Sequence, residues 1–353
     1  MALIRCLTLH LRSLGGISDY TYVRDELYDK IDIVKRLTRD LGLNVWSFRV
    51  ALPPNLRNDV QLKLSELLCR GDLLLASYHV DADSVSVDDV ISVLNSCSQC
   101  YVTIKLSKVS SIPKVVELYS RLIKSLTPDD FTRIGISIPD YVETPYFPLA
   151  TAYEDGFALA LRYVDLFKDY LSGRKDTLID FVGSVGRSAR KLSEEVGLKL
   201  LGIDYSLSPW ESESVVELVE SLSGVKFAYP GSGWAVKELN RLINCVAEEV
   251  GIRALGFNEV MLPVAEDDLL KERVAEGSVT LRDLTYLSTY CLVGVDMVVL
   301  KEDLNMIKGI ISDVFTASLI KNRTIGVRLI PVGIPEGSYV SLKRFGRVPV
   351  IKY

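Results

Sequence analysis

Histidine and glutamine are almost missing from this chain of 353 residues, with two of each. That shortage of a labile amide, beside abundant Ile, Val, Glu, Lys and Arg, points to a heat-adapted source. A basic surplus is also lacking, since 41 lysines and arginines face 46 acids and the pI is near 5.4. No positive field exists to gather phosphate backbones or anionic lipid, so neither nucleic acid nor membrane is an expected partner. No apolar run reaches the roughly 18 residues that a spanning helix needs. Met1 to Cys6 leads straight into a strand pattern, not into a charged and cleavable leader, so a cytoplasmic location is expected.

The six cysteines, at positions 6, 69, 97, 100, 245 and 291, sit mostly in apolar sequence, which fits buried thiols better than a secreted disulfide framework. Only Cys97 and Cys100 are closely spaced. No second pair and no nearby histidine completes a zinc tetrad, and two packed cysteines at a helix-to-strand junction are the simpler reading.

What is plentiful is apolar sequence, 48% of the chain, enough for a large core. Strand-length apolar runs alternate with longer stretches of helical period, the pattern of a mostly parallel sheet with helical crossovers. Ten candidate strands are Leu3 to Leu11, Asn44 to Leu52, Asp72 to Ser77, Tyr101 to Leu106, Arg133 to Ile138, Lys199 to Tyr205, Val225 to Tyr229, Gly256 to Val264, Asp296 to Leu300 and Thr324 to Pro331. Many are apolar on both faces, as strands covered on both sides are. Leu27, Ile31, Val34 and Leu37 form the stripe of a helix that Gly42 stops. The interval 139–198 reads as two helices elaborating one domain that spans 1–353, and 332–353 reads as a tail folding back over the domain or onto a second subunit.

Polar groups at the ends of the apolar strands mark the expected ligand crevice. Gly231 and Gly233 follow a strand pattern and open a helix, where main-chain amides could meet an anion, although a tight turn needs the same glycines. Asp204 and Ser208 close another strand, as a metal or hydroxyl ligand, or as a loop acceptor and a helix cap. Glu143 to Pro148 fixes Tyr146 and Phe147 between prolines, as a pocket wall or a packed turn. Glu266 and Asp267 could hold a divalent metal, or favour a first helical turn. Cys291, near a helix end and followed by Gly294 and Asp296, is the thiol closest to other polar candidates. Arg328 stands inside an apolar strand and must meet an acid or an anionic ligand.

Together these segments resemble the uncharacterised protein family 0210, domain of unknown function 711: the strand from Phe257 to Val264, the turn from Cys291 to Asp296, Thr144 to Pro148, Gly202 to Pro209, Pro230 with Gly231, and Arg328 to Pro331. The resemblance implies an α/β barrel of about ten strands, similar in fold to the pyruvate formate-lyase group of glycyl-radical enzymes. It carries a pocket over onto Pro145, Phe147, Asp204, Ser208, Asn258, Met261, Cys291, Gly294, Asp296 and Arg328. It also implies a partner, because family members are often encoded beside a small ACT-domain protein. The chain departs from the pattern at Leu292 and Val293 and at Lys301 to Asp303, where bulkier side chains narrow a backbone-lined anion site.

Glycyl-radical enzymes need an Arg-Val-x-Gly-aromatic loop near the C-terminus, and neither Val327 to Ile330 nor Arg344 to Val348 supplies one. The fold is expected without that chemistry. An enzyme would bind a small polar or anionic metabolite through Arg328, Gly231 and Gly233, with Asp204, Asp296 or Cys291 as acid, base or nucleophile. A sensor would use the same pocket without turnover. A homo-oligomer is expected on base rates.

Overall fold

The alternation of apolar runs and helical stripes becomes alternating strands and helices in the computed structural model, which describes residues 3–16, 20–289 and 293–353. The first half of the chain gives β1 (Leu3–His10), α1 (Tyr20–Asp40), β2 (Phe48–Ala51), α2 (Asn58–Leu67), β3 (Leu74–Asp81), α3 (Val87–Ser96), β4 (Cys100–Lys105), α4 (Ile112–Leu122), the short α5 (Pro128–Phe131) and β5 (Ile134–Ile138). Then come β6 (Gly156–Arg162), α6 (Val164–Leu171), α7 (Asp176–Val196), β7 (Leu200–Asp204), α8 (Val215–Ser223), α9 (Ser232–Val250), α10 (Asp268–Glu276), α11 (Leu281–Ser288), β8 (Gly294–Lys301), α12 (Leu304–Lys321) and β9 (Ile325–Val332). A hairpin of β10 (Tyr339–Leu342) and β11 (Gly346–Pro349) follows.

Nine strands form one sheet in the order β7-β6-β1-β2-β3-β4-β5-β9-β8. Strands β1 to β5 are parallel to one another, β6 meets β1 antiparallel, and β9 meets β5 antiparallel. The central parallel block is therefore flanked on each side by strands running the other way. Helical stripes such as Leu27, Ile31 and Val34 of α1 are buried in the main core.

The other side of the sheet is crossed by the chain from Thr144 to Ala152, whose carbonyls are met by polar side chains of the strands. Pro145 O accepts from Cys6 Sγ (3.4 Å) and Thr8 Oγ1 (3.0 Å), and Pro148 O accepts from Thr103 Oγ1 (2.7 Å). Ala150 O accepts from His79 Nε2 (2.9 Å), and Thr151 O from His10 Nδ1 (3.1 Å). Thus buried Thr8, His10, His79 and Thr103 satisfy a segment that would otherwise strand its carbonyls. Gly135 and Gly326 lack side chains for the same reason: a Cβ on either would overlap Pro148 or Leu149 of the crossing segment.

Three expectations are corrected. Residues 225–229 form a turn, because Phe227 N donates to Glu220 Oε1 (2.8 Å) and Val225 N to Ser223 Oγ (3.3 Å), leaving no amide row for a ladder. Residues 256–264 form no strand, and the chain there pairs with the β7 side through isolated bridges, Ala254 with Ile203 and Val260 with Leu207, since side chains of Asp204, Ser206 and Asn240 take four consecutive amides, 257 to 260. Within 139–198, β6 pairs on both edges, with β1 and β7, although its alanines and leucines read as helix. Two-sided pairing overrides local propensity there.

Cys69 and Cys97 are joined as a disulfide, their Cα atoms 5.8 Å apart, where the ends of α2 and α3 meet. This corrects the reading of all six cysteines as thiols. Cys6 and Cys100 are buried free thiols, and burial pushes Cys100 up to about 11. Among the described residues no helix is long and apolar enough to cross a membrane. The tail folds back, with Ile351 N donating to Val299 O (2.9 Å) and Leu281 N to Lys352 O (2.9 Å).

Candidate functional site

A cavity of about 320 Å³ lies among the amino-terminal parts of β1 to β5, not at their carboxyl ends where the general rule for open α/β sheets places ligands. The crossing segment explains the inversion. Its distal half, Ala150 and Thr151, fills the space beside His79 and His10, while Tyr146, Phe147, Pro148 and Leu149 form the cavity floor. Each strand of the parallel block contributes a wall residue: Arg5, Arg49, Leu74, Tyr101 and Gly135. Asp296 and Arg328 come from β8 and β9, and Ser208, Phe257, Met261 and Glu266 from the chain after β7.

Two strand irregularities aim the charges. The β1 register against β6 shifts between Ile4 and Cys6, and Arg5 lies at that bulge. The β8 register against β9 shifts between Val295 and Val298, so Asp296 lies at another. An extra residue re-aims a side chain without ending the strand.

The polar wall is a chain of four charges. Arg328 grips Asp296 with both fork nitrogens, Nε to Oδ1 at 2.7 Å and Nη2 to Oδ2 at 2.9 Å, and Nη2 also reaches Glu266 Oε1 at 3.4 Å. The other oxygen of Glu266 accepts from Arg5, whose Nη1 donates to Pro209 O (3.0 Å). Burial opposes the Arg328 charge, and Asp296 and Glu266 more than compensate, raising its pKa above the ordinary value. Arg5 lies 5.5 Å from the Trp46 ring centre and 5.7 Å from that of Trp210, so both indole faces already serve a cation. Two positive and two negative groups leave this wall neutral.

Arg49 differs from both buried arginines. Half-buried, it lies 5.2 Å from the Phe147 ring centre, donates from Nε to Ser47 Oγ (3.1 Å) and reaches Pro145 O at 3.5 Å. Among the described residues no carboxylate pairs with it. Arg344, exposed at the rim, has none either. The rim is formed by the tip of the β10–β11 hairpin, where Phe345 meets Trp210 edge-on at 6.0 Å and its carbonyl accepts from Lys271 Nζ (3.0 Å). A second hollow of about 290 Å³ beyond them shares Trp210, Glu266, Arg344 and Phe345 with the first.

Of the residues singled out in the sequence, Phe147, Ser208, Met261, Glu266, Asp296 and Arg328 do line the cavity, and Pro145 supports it through its carbonyl. Others are elsewhere. Asp204 is fully buried away from the lining and ties two loops: Oδ1 accepts from Ser206 N, Ser206 Oγ and Asn258 N, and Oδ2 from Phe257 N and Thr144 Oγ1. Burial pushes its carboxyl up and these donors pull it back. Its geometry is that of a loop acceptor, not of an exposed acid or base. Asp204→Asn should therefore cost about 1–3 kcal/mol, measured by urea denaturation, because an amide nitrogen must face donors.

Asn258, in the left-handed region at φ 55°, accepts from Tyr205 N (2.9 Å) and is likewise structural. Gly294 packs against β9, since a Cβ there would overlap the Gly326 carbonyl. Asp267 caps two helices, accepting from Leu270 N at the start of α10 and from Val215 N at the start of α8, so it does not share a metal with Glu266. Among the described residues no three His, Cys, Asp or Glu side chains converge as a metal site. Gly231 and Gly233 do open α9, but they line a separate hollow of about 580 Å³. Cys291 lies outside the described residues.

The sequence reading missed Arg5, Arg49, Tyr101, Trp46 and Trp210. The signal that found Arg328, a guanidinium inside an apolar strand, is equally present in Ile4-Arg5-Cys6 and Phe48-Arg49-Val50.

The site is thus a charge-walled cavity on a mixed α/β fold built around one nine-stranded sheet. Residues 123–343 match the family described as uncharacterised ACR (DUF711), and the chain belongs to that family. Among similar curated proteins is a UPF0210 protein of Sulfurisphaera tokodaii, 31% identical over 168 residues, which are 46% of this chain and 38% of that protein. The UPF0210 protein MJ1665 of Methanocaldococcus jannaschii is 31% identical over 169 residues, covering 46% and 37%. MK1214 of Methanopyrus kandleri is 32% identical over 168 residues, again 46% and 37%. The matched stretch thus spans less than two fifths of each relative. These names assign no activity.

Proposed function

We propose that the chain binds a small organic anion in the cavity, with Arg49 as the charge that receives it. The carrying observation is that, among the described residues, Arg49 is the half-buried or buried cavity arginine that no carboxylate pairs with, whereas Arg5 and Arg328 are neutralised within the wall. A guanidinium fork stacked on a ring is a pre-set partner for a carboxylate. The reading includes closure of the sheet into a barrel like that of the pyruvate formate-lyase group, without its radical loop. It is supported by the bridges of Ala254 and Val260 to the β7 chain, on the way from β7 to β8, and by cavity walls drawn from both ends of the strand order.

Metabolite binding without turnover is the favoured form, with an ACT-domain protein and a second copy of the chain as proposed partners. Its support is that Asp204 is occupied by five donors and Asp296 by the Arg328 fork. Catalysis is the second reading, favoured by the side chain of Asp296, which keeps 24% exposure beside the cavity. Incubation with a metabolite mixture, followed by mass spectrometry, separates them: loss of one compound supports the enzyme. For the pocket itself, Arg49→Met should weaken carboxylate binding roughly ten- to a hundredfold, the value of one charge-assisted contact, in a protein that stays folded. Unchanged ligand-induced thermal shifts would remove the proposal.

A further inference from the structure

The polar groups that the cavity leaves without partners are few, and the rest of its wall is soft and aromatic. Beyond the neutral chain of Arg5, Glu266, Arg328 and Asp296, the Tyr146 hydroxyl is a buried lining group without a hydrogen-bond partner among the described residues, and Tyr101 and Ser208 add two further hydroxyls to the wall. Arg49 adds a half-buried charge that no carboxylate among the described residues pairs with. Facing them are Phe147, Phe257, Met261 and Phe345, with Tyr101 and Phe147 already in edge contact at 5.1 Å.

A ligand sealed there must match this inventory. Sugar phosphates and polyols would carry several hydroxyls against rings and a thioether, and each unpaired one would be penalised. A dicarboxylate would present its second charge to a wall whose arginines are already paired, or to Arg344 at the rim, which is exposed and screened by water, so that charge gains little there. The volume of about 320 Å³ stands at the lower end of small-ligand pockets, roughly 300–1,000 Å³, which suits one ring with a short acidic side chain and leaves no room for a dinucleotide. Ring edges and a methionine sulfur give an aromatic body more contact than an aliphatic one of equal reach.

We infer that the ligand is an aryl monocarboxylate, its carboxylate on the Arg49 fork and its ring against Phe147 and Met261, a specification that rests on the anion-binding reading above.

The full chain is titrated by calorimetry with 3-phenylpropionate, propionate, succinate and inorganic phosphate. The expected result is binding of 3-phenylpropionate at least tenfold tighter than propionate, with succinate and phosphate weaker still. Phe147→Leu should reduce the aryl preference, Arg49→Met should weaken binding roughly ten- to a hundredfold, and Arg49→Lys should weaken it less. Thermal unfolding of each variant without ligand establishes that it is folded. Arg49-dependent binding of succinate or phosphate in preference to the aryl acid overturns the ligand class but leaves the anion site standing. Binding of 3-phenylpropionate that Arg49→Met leaves unchanged overturns both, as does the absence of binding by all four acids.

Discussion

Acidification from pH 6.5 to pH 4 should remove about 5 kcal/mol of folding stability through His10 and His79 alone, shared equally between them. Both rings are buried, and burial lowers each pKa from 6.5 to about 4. Each donates one ring nitrogen to a carbonyl of the crossing segment, and the other nitrogen, Nε2 of His10 or Nδ1 of His79, is buried without a partner. A second proton would have to occupy that dry position. The sign follows from linkage. In the unfolded chain these histidines take up protons as pH falls through 6.5, whereas the folded state refuses them until about 4, so stability is full above 6.5 and declines across that window. Against a typical net stability of about 5–15 kcal/mol, the loss is large.

Carboxylates held low by partners, such as Glu220 hydrogen-bonded to Arg273, add to acid sensitivity, so variants are needed to isolate the histidines. His10→Asn and His79→Gln each place an amide donor near the nitrogen now used and cannot titrate. Urea denaturation from pH 4 to 7 should show each variant flattening the pH slope by up to one proton. A slope that both variants leave intact would assign the acid loss elsewhere.

Glu266→Ala should cost about 3–5 kcal/mol, the usual penalty for breaking a buried ion network from one side. Glu266 joins Arg5 to Arg328 and is itself almost fully buried, and its removal strands positive charge between Trp46, Trp210 and the cavity. Glu266→Gln keeps an acceptor and should cost less. The partner test is a double-mutant cycle on the bidentate pair: Arg328→Met with Asp296→Leu should cost less than the two single changes added, because neither charge is then left alone. Strict additivity would mean that the two side chains do not interact. Arg328 is therefore a poor probe of ligand binding, since its loss damages the wall as well as the pocket.

Much of the fold was legible because the chain states it locally. The stripe of α1 and the apolar cores of β4, β5 and β9 follow from periodicity. Thr127 and Asp130 form a capping box, although the helix they open has only four residues. Legibility failed where side chains compete with the ladder: Asp204, Ser206 and Asn240 take the amides of an apolar stretch that would otherwise be a strand. It failed again at β6, whose alanines look helical until two neighbours pair with them. Asp204 and Asp267 looked chemical because a carboxylate in apolar sequence needs donors, and one line of sequence does not say whether a ligand or a backbone supplies them.

By itself the sequence determined an α/β protein with a large buried sheet, an absence of a basic field, and the need of Arg328 for a counter-charge, since composition and periodicity act within a few residues of themselves. Tertiary structure alone decided that Thr144 to Ala152 crosses the sheet, that the carboxyl ends of the parallel strands are thereby filled, and that the cavity opens among their amino ends. It also decided that Arg5 and Arg328 are matched while Arg49 is not. Charges 261 and 62 positions away neutralise the first two through Glu266, and pairing over such separations depends on strand order, which no local pattern encodes.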